Sequence, residues 1–285
     1  MKKIALLITL LFAIFAFANA NPLIDTITDF TDVDNLVKQK IEQYGASEVL
    51  IVLDIDNTIL TSHVDLGGDI WFQWQKGKLN ILPTEEQKIK KCFYNDVIGM
   101  LNELGTMDLV DASIPKIINN WQNSKITLIA LTSRSPRVIA PTERELVKKE
   151  IDFTKTPIES TKPVFKYNYN SKISYTNGIM MTTGKDKGVM LDSLLAVTGK
   201  SFRAIVFVDD TEDNINNVNR KFADKSVDLT LFYYTKVIDD RKKANGGKVL
   251  TSEQVEKMAN DWEKLNTALD SIYPDRNKCV NPDYK

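Results

Sequence analysis

The sequence predicts an α/β protein built on a doubly wound parallel sheet, and three observations carry that prediction. Five short apolar runs have strand length: residues 49–54 (VLIVLD), 126–131 (ITLIAL), 173–181, 204–208 (AIVFV) and 229–234 (LTLFYY). Several are apolar at consecutive positions, as a parallel strand covered by helices on both faces requires. Helical patterns separate most of them, and alternation of strand with helix implies parallel crossovers. A chain of 285 residues, 43% of them hydrophobic, is long enough to bury a full core as one principal domain with an insertion.

Taken in chain order, residues 1–20 read as a secretory signal. MKKIALLITLLFAIFAFANANP has a lysine-bearing start, an apolar run over 4–18 and small residues at Ala18, Asn19 and Ala20, so cleavage is expected after Ala20. The apolar run is shorter than the ~20 residues of a spanning helix, and no later stretch is long and apolar enough to cross a bilayer. The exported protein is therefore expected in the periplasm or secreted, without a membrane span. Between the first and second strands lie about seventy residues, far more than an ordinary crossover of ~12 needs. An inserted, mainly helical cap is expected over 62–112, with its main helix at 84–104. The core is assigned to 21–61 and 113–285. Trp71, Phe72 and Trp74 are expected in the core of the insertion rather than against a ligand.

Helical patterns follow at 141–150, where Pro141 falls early and its missing N–H is tolerated, at 187–197 and at 214–223. A long amphipathic helix is expected over 252–273, with Val255, Met258, Trp262, Leu265 and Leu269 on one face. The charges nearly cancel, 37 Lys and Arg against 38 Asp and Glu. That balance argues against a broad basic face for nucleic acid or anionic lipid, while a small phosphorylated ligand needs only local positive charge. Cys92 and Cys279 are the only cysteines, and in an exported chain they form one disulfide or remain two thiols.

The chemistry begins at the end of the first strand, where VLIVLDIDNTIL places Asp54 and Asp56 one residue apart after a buried run. Carboxylates at a strand end hold a hard divalent cation or divide nucleophilic and acid–base roles. The second strand ends in LTSR (131–134), offering Thr132 and Ser133 as donors to a phosphoryl oxygen. TTGKDKG (182–188) opens a helix with Lys185 and Lys187 available to neutralise charge. VFVDDTEDN (206–214) ends the fourth strand with Asp209, Asp210 and Asn214, further oxygen ligands for a metal.

In this order the four segments resemble the motifs of the haloacid dehalogenase (HAD) superfamily, over roughly 49–234, and the exported setting is distantly similar to secreted acid phosphatases of that superfamily. The resemblance implies a phosphoric monoester hydrolase in which Asp54 is the nucleophile forming an aspartyl-phosphate. Asp56 would protonate the leaving oxygen and then activate water. Thr132 would bind the transferring phosphoryl group and Lys187 would steady it, with Lys185 the alternative. Mg2+ would be held by Asp54, the Asp56 carbonyl and Asp210, with Asp209 acting through water and Asn214 behind it. Two other readings keep the same fold: a phosphotransferase sharing the intermediate, and an exported binding protein without turnover.

Elsewhere blander readings lead. His63 is expected to be a partly exposed polar residue, and Arg134 and Arg137 exposed arginines beyond the phosphate-binding turn. The polar stretch 155–172 and the basic run Arg241, Lys242 and Lys243 are expected to be solvated loop surface.

Overall fold

The computed structural model describes residues 22–160, 163–166 and 171–276. The expected signal at 1–20 and Cys279 lie outside the described residues. In chain order the elements are β1 (Leu23–Ile27), α1 (Thr31–Tyr44), β2 (Val49–Leu53), β3 (Leu60–Ser62), α2 (Asp69–Gln75), α3 (Ile98–Leu104), β4 (Met107–Leu109) and α4 (Ile114–Asn123). Then come β5 (Thr127–Thr132), α5 (Ile139–Lys148), β6 (Ser174–Thr176), β7 (Ile179–Met181), α6 (Lys187–Thr198), β8 (Ala204–Asp209), α7 (Glu212–Phe222), β9 (Asp228–Tyr234), α8 (Lys236–Ala244) and α9 (Ser252–Ile272).

Seven strands form one sheet in the order β1-β9-β8-β2-β5-β7-β6, every pair parallel except β6 with β7. The unbroken apolar run of β2 has a direct cause. Val49, Ile51 and Leu53 enter one core cluster with Val33 and Val37 of α1 and Ile114, Ile118 and Trp121 of α4. Leu50 and Val52 enter the other, with Leu191 and Leu194 of α6 and Ile215 and Val218 of α7. Both faces of the sheet are thus covered by helices, and alternation of polar with apolar residues is impossible in its central strands. The chain leaves β2 toward β5 on one side and returns to β8 on the other, so β2 lies at the topological switch point where ligands of open α/β sheets bind.

Several expectations are corrected. The run 173–181 is two short strands, because Asn177 and Gly178 both take positive φ (53° and 75°) and close a tight hairpin. Residues 84–104 are not one helix. Gln75 of α2 donates to the Gln87 carbonyl at 2.9 Å and accepts from the Ile89 N–H at 3.0 Å, taking those backbone groups out of any helical ladder. Helix resumes only at Phe93–Val97, a π-helical turn leading into α3. Trp71, Phe72 and Trp74 lie in α2, and β3 pairs with β4 in a small antiparallel ribbon. Trp71 and Trp74 are buried in a third cluster with Phe93, Leu101, Val255 and Met258. The C-terminal helix, expected with the core, therefore buries its apolar residues against the inserted segment. Arg241 is not loose surface: it lies in α8 and grips Asp65 through Nη1 and Nη2 at 2.7 and 3.0 Å. Cys92 is disulfide-bonded.

Glu145 of α5 ties the core to the inserted segment. Its Oε2 accepts from the Met107 N–H at 3.0 Å, and its Oε1 from Arg144 and Lys148 at 2.9 and 2.8 Å. Burial opposes its ionisation, but the bonds from Lys148, Arg144 and Met107 prevail and pull its pKa from the ordinary 4.5 down to about 2. A depressed carboxyl contributes stability that is present above its unfolded pKa and lost as pH falls through the folded one. Between pH ~5 and ~2 the protein should lose about 3 kcal/mol through this group. Glu145→Gln should lower stability at neutral pH by a similar amount and flatten that part of the profile, measured by urea unfolding at stepped pH. An unchanged slope in the variant would remove Glu145 from this role.

Candidate active site

Lys187 organises the site. Its side chain is wholly buried, and its Nζ lies 2.5 Å from Asp54 Oδ1 and 2.7 Å from Asp209 Oδ2. Local sequence puts it there. Asp186 caps α6 by accepting from the Val189 N–H at 2.9 Å, so Lys187 is the first helical residue. Side chains lean toward a helix's N-terminus, which aims this amine at the strand ends. Gly188 lets the helix come close, since a Cβ there would collide with the Asn217 carbonyl oxygen of α7. Lys185 is exposed in the preceding loop.

Asp54 directly follows β2, and its N–H continues the ladder to the Val208 carbonyl at 2.9 Å. Asp209 is the last residue of β8 and fully buried. Its Oδ1 accepts from the Thr211 N–H and from Asn214 Nδ2, both at 2.9 Å, so with Lys187 both its oxygens are engaged. Asp210 accepts a 3.2 Å bond from the Thr211 hydroxyl at its Oδ1, and the Asn57 side chain also hydrogen-bonds its carboxyl. Ligand oxygens of Asp54, Asp209 and Asp210 lie within 4.8 Å of one another.

Thr132 ends β5, fully buried, with its Oγ1 accepting from the Arg134 N–H at 3.1 Å. The loop after β7 is latched onto this turn. Thr182 donates to the Thr132 carbonyl through its N–H (3.0 Å) and its hydroxyl (2.9 Å), and the Gly184 N–H bonds the Ser133 carbonyl at 3.0 Å. Ser133 itself is exposed. Four strand ends, those of β2, β5, β7 and β8, thus converge through hydrogen bonds that cross long stretches of chain.

Three residues carry more of the site than the sequence indicates. Asn57 sits in the left-handed region (φ 56°), which Asn tolerates better than other non-glycine residues, and its N–H bonds the Leu60 carbonyl at 2.7 Å to turn the chain after Asp56. Its Nδ2 donates to Asp69 Oδ2 at 2.8 Å, while Gln73 donates to the same oxygen at 2.5 Å. Asp69 opens α2, so the inserted segment adds a carboxylate beside the site. Arg134, expected to be exposed, is largely withdrawn from solvent, its side chain 10% exposed, and forks onto Asp56, Nε to Oδ2 and Nη2 to Oδ1, both at 2.8 Å. His63 is exposed, and its partner is Asp108 of β4 at 2.8 Å.

The electrostatics are unbalanced. Burial pushes the carboxyl of Asp54 upward; Lys187 opposes this, and the charges of Asp209 and Asp56 reinforce it. Burial, with the charges of Asp69, Asp54 and Asp209, also raises Asp210 well above the usual carboxylate range. Asp69 is pushed up to about 6 by burial and by Asp56. Burial favours a neutral amine at Lys187, but Asp209 and Asp54 outweigh it and keep the amine protonated. Among the described residues the carboxylates thus outnumber the two cations bonded to them, the buried Lys187 and the largely buried Arg134. The arrangement suits a further positive charge, and its donors are carboxylate oxygens, the ligands hard divalent cations take.

Comparison with known proteins gives a family and one relative. Residues 26–273 match the family described as "Protein of unknown function (DUF2608)". A Chlamydia pneumoniae protein, whose name provisionally places it in the outer membrane, is 24% identical over 172 residues, which is 60% of this chain. The chain spans 63% of that relative's length. Among the described residues no helix is long and apolar enough to cross a membrane.

Proposed function

We propose, for a chain that belongs to the DUF2608 family of proteins of unknown function and whose activity must therefore be read from its site, an exported Mg2+-dependent phosphomonoester hydrolase of the HAD type. The observation that carries this reading is the buried Lys187 amine shared between Asp54 and Asp209 at the C-terminal ends of parallel strands. A lone metal site has no need of a lysine salt-bridged to one of its ligands. A carboxylate that must attack an anionic phosphoryl group does, because the amine offsets charge repulsion between them.

In the first half-reaction an Asp54 carboxylate oxygen would attack phosphorus. Oδ2 accepts no hydrogen bond among the described residues and is the free one. The bond from phosphorus to the leaving oxygen breaks as the aspartyl-phosphate forms, and Asp56 passes its proton to the departing alkoxide. In the second half Asp56 takes a proton from water, whose oxygen bonds to phosphorus. The acyl oxygen–phosphorus bond breaks, releasing phosphate and restoring Asp54. Thr132 would hold a phosphoryl oxygen through its hydroxyl, and the Thr182–Gly184 loop bonded to its strand would keep that turn rigid.

Magnesium fits the donor set. Both Asp209 oxygens already accept protein donors, which favours Asp54, Asp210 and the Asp56 main-chain carbonyl as the residues that would hold it, with Asp209 and Asn214 behind them. When bound it would supply positive charge to the phosphoryl oxygens. The inserted segment at 62–112, which brings Asp69 to the site, is proposed as the cap that selects the leaving group. Export rests on the signal-like residues 1–20 and on the name of the Chlamydia relative. The substrate is a small phosphate monoester.

The purified protein should release phosphate from p-nitrophenyl phosphate with Mg2+ and not with EDTA. Absence of turnover across pH and several monoesters would sink the proposal. Independently of turnover, Mg2+ should raise the unfolding temperature, and Asp210→Asn should abolish that shift. An equal shift in the variant would remove Asp210 from the metal site.

A further inference from the structure

We infer that Arg134 is a positioning residue that holds Asp56 in its working orientation, an inference that rests on the hydrolase reading above. Among the described residues, the fork from Nε and Nη2 is the only side-chain support of the Asp56 carboxylate. Asp56 follows a strand end and its side chain is about a quarter exposed, so without the fork it would turn freely. A carboxylate that alternately gives and takes a proton must stay within hydrogen-bond reach of the leaving oxygen and of the attacking water, and a misplacement of ~1 Å costs ~100-fold in rate.

Arg134 is itself pinned on several sides. Its Nη1 donates to Thr142 Oγ1 at 2.8 Å, and that hydroxyl donates to the Val138 carbonyl at 2.7 Å. Its Nη2 also meets Met107 Sδ at 3.0 Å, on β4 of the inserted segment. Its backbone N–H bonds Thr132 Oγ1, and its carbonyl accepts from the Thr183 N–H at 3.1 Å. One residue thereby joins the proposed phosphoryl-binding turn, helix α5 and the inserted segment to the acid–base carboxylate. Nε and Nη2 are engaged by Asp56 and Nη1 by Thr142, so the guanidinium is built for orientation of a protein group. A lysine, a point charge on a flexible stem, cannot reproduce the fork.

The test compares wild type, Arg134→Ala and Arg134→Lys on p-nitrophenyl phosphate with Mg2+. Both variants should lose about 100-fold in kcat with KM nearly unchanged. Guanidinium ion at sub-denaturing concentration should restore kcat to Arg134→Ala, while sodium chloride of equal ionic strength should not. A raised KM with kcat intact would place Arg134 on the substrate phosphate instead, and unchanged kinetics in either variant would likewise overturn the inference. Lost kcat without guanidinium rescue in a folded Arg134→Ala would reduce the residue to a structural one. If Arg134→Ala does not fold, Arg134→Lys decides alone, through its split between kcat and KM. An inactive wild type would instead sink the hydrolase reading and this role with it.

Discussion

Asp54→Asn should lower phosphate release by more than about 1,000-fold, the scale on which loss of a covalent nucleophile is felt. The substitution is nearly isosteric at a buried position, and its amide can still meet Lys187, so the fold should persist. What disappears is the anionic oxygen that attacks phosphorus. Wild-type protein quenched in acid during turnover should carry one acid-stable, base-labile phosphoryl group. Asp54→Asn should carry none. Circular dichroism close to wild type would show that the loss is chemical and not a failure to fold. Turnover surviving in Asp54→Asn, or a phosphoryl group trapped on the variant, would place the nucleophile elsewhere and overturn the aspartyl-phosphate scheme.

Lys187→Met should have the largest effect on stability, about 3–5 kcal/mol at neutral pH without added metal. Among the described residues the amine is the only cation bonded to Asp54 and the only one bonded to Asp209, and each of these carboxylates is buried. Replacement by an apolar chain of similar length leaves both charges without it, and removing one partner of a buried charged cluster costs far more than the cluster contributes as a whole. The raised pKa of Lys187 means that its contribution is fully present below the ordinary lysine range and fades only above it, so the wild type should show no loss from this group between pH 5 and 9. The variant should behave differently. Its destabilisation should grow as pH rises above neutral, because Asp54, which burial pushes up to about 8 even with the amine beside it, ionises in that range and adds to the uncompensated charge. Urea midpoints at neutral and alkaline pH measure this directly. A loss below about 1 kcal/mol, or one independent of pH, would mean that solvent reaches the cluster and that the amine is not its main counter-charge.

How much of this was open to a reading of the sequence depends on the range of the interactions concerned. The apolar runs of β2, β5, β8 and β9 are legible because burial on both faces leaves no freedom for polar residues, and α6, α7 and α9 are legible from their 3.6-residue spacing. The parallel sheet with flanking helices follows from these local facts. Strand-end placement is local as well, so Asp54, Thr132, Asp209 and Asp210 could each be picked out where an apolar run stops at a polar group. β1, with four of its five residues exposed, and the three-residue strands of the small ribbon carry no such pattern and were missed.

Tertiary structure alone decided the rest. Lys187 meets Asp54 across 133 residues of chain, Arg134 meets Asp56 across 78 and Arg241 meets Asp65 across 176. Nothing in the local sequence of an arginine says whether it will be solvated or forked onto a distant carboxylate. The same holds for Gln75, whose side chain claims the backbone of 87–89 and stops a helix that the sequence allows, and for α9, whose amphipathic face fits the core and the inserted segment equally well as a pattern. Periodicity records which side of an element is buried; which partner buries it, and which buried charges then compensate one another, is settled only when the folded chain brings them within a few ångströms, where desolvation makes unpaired charges too costly to leave alone.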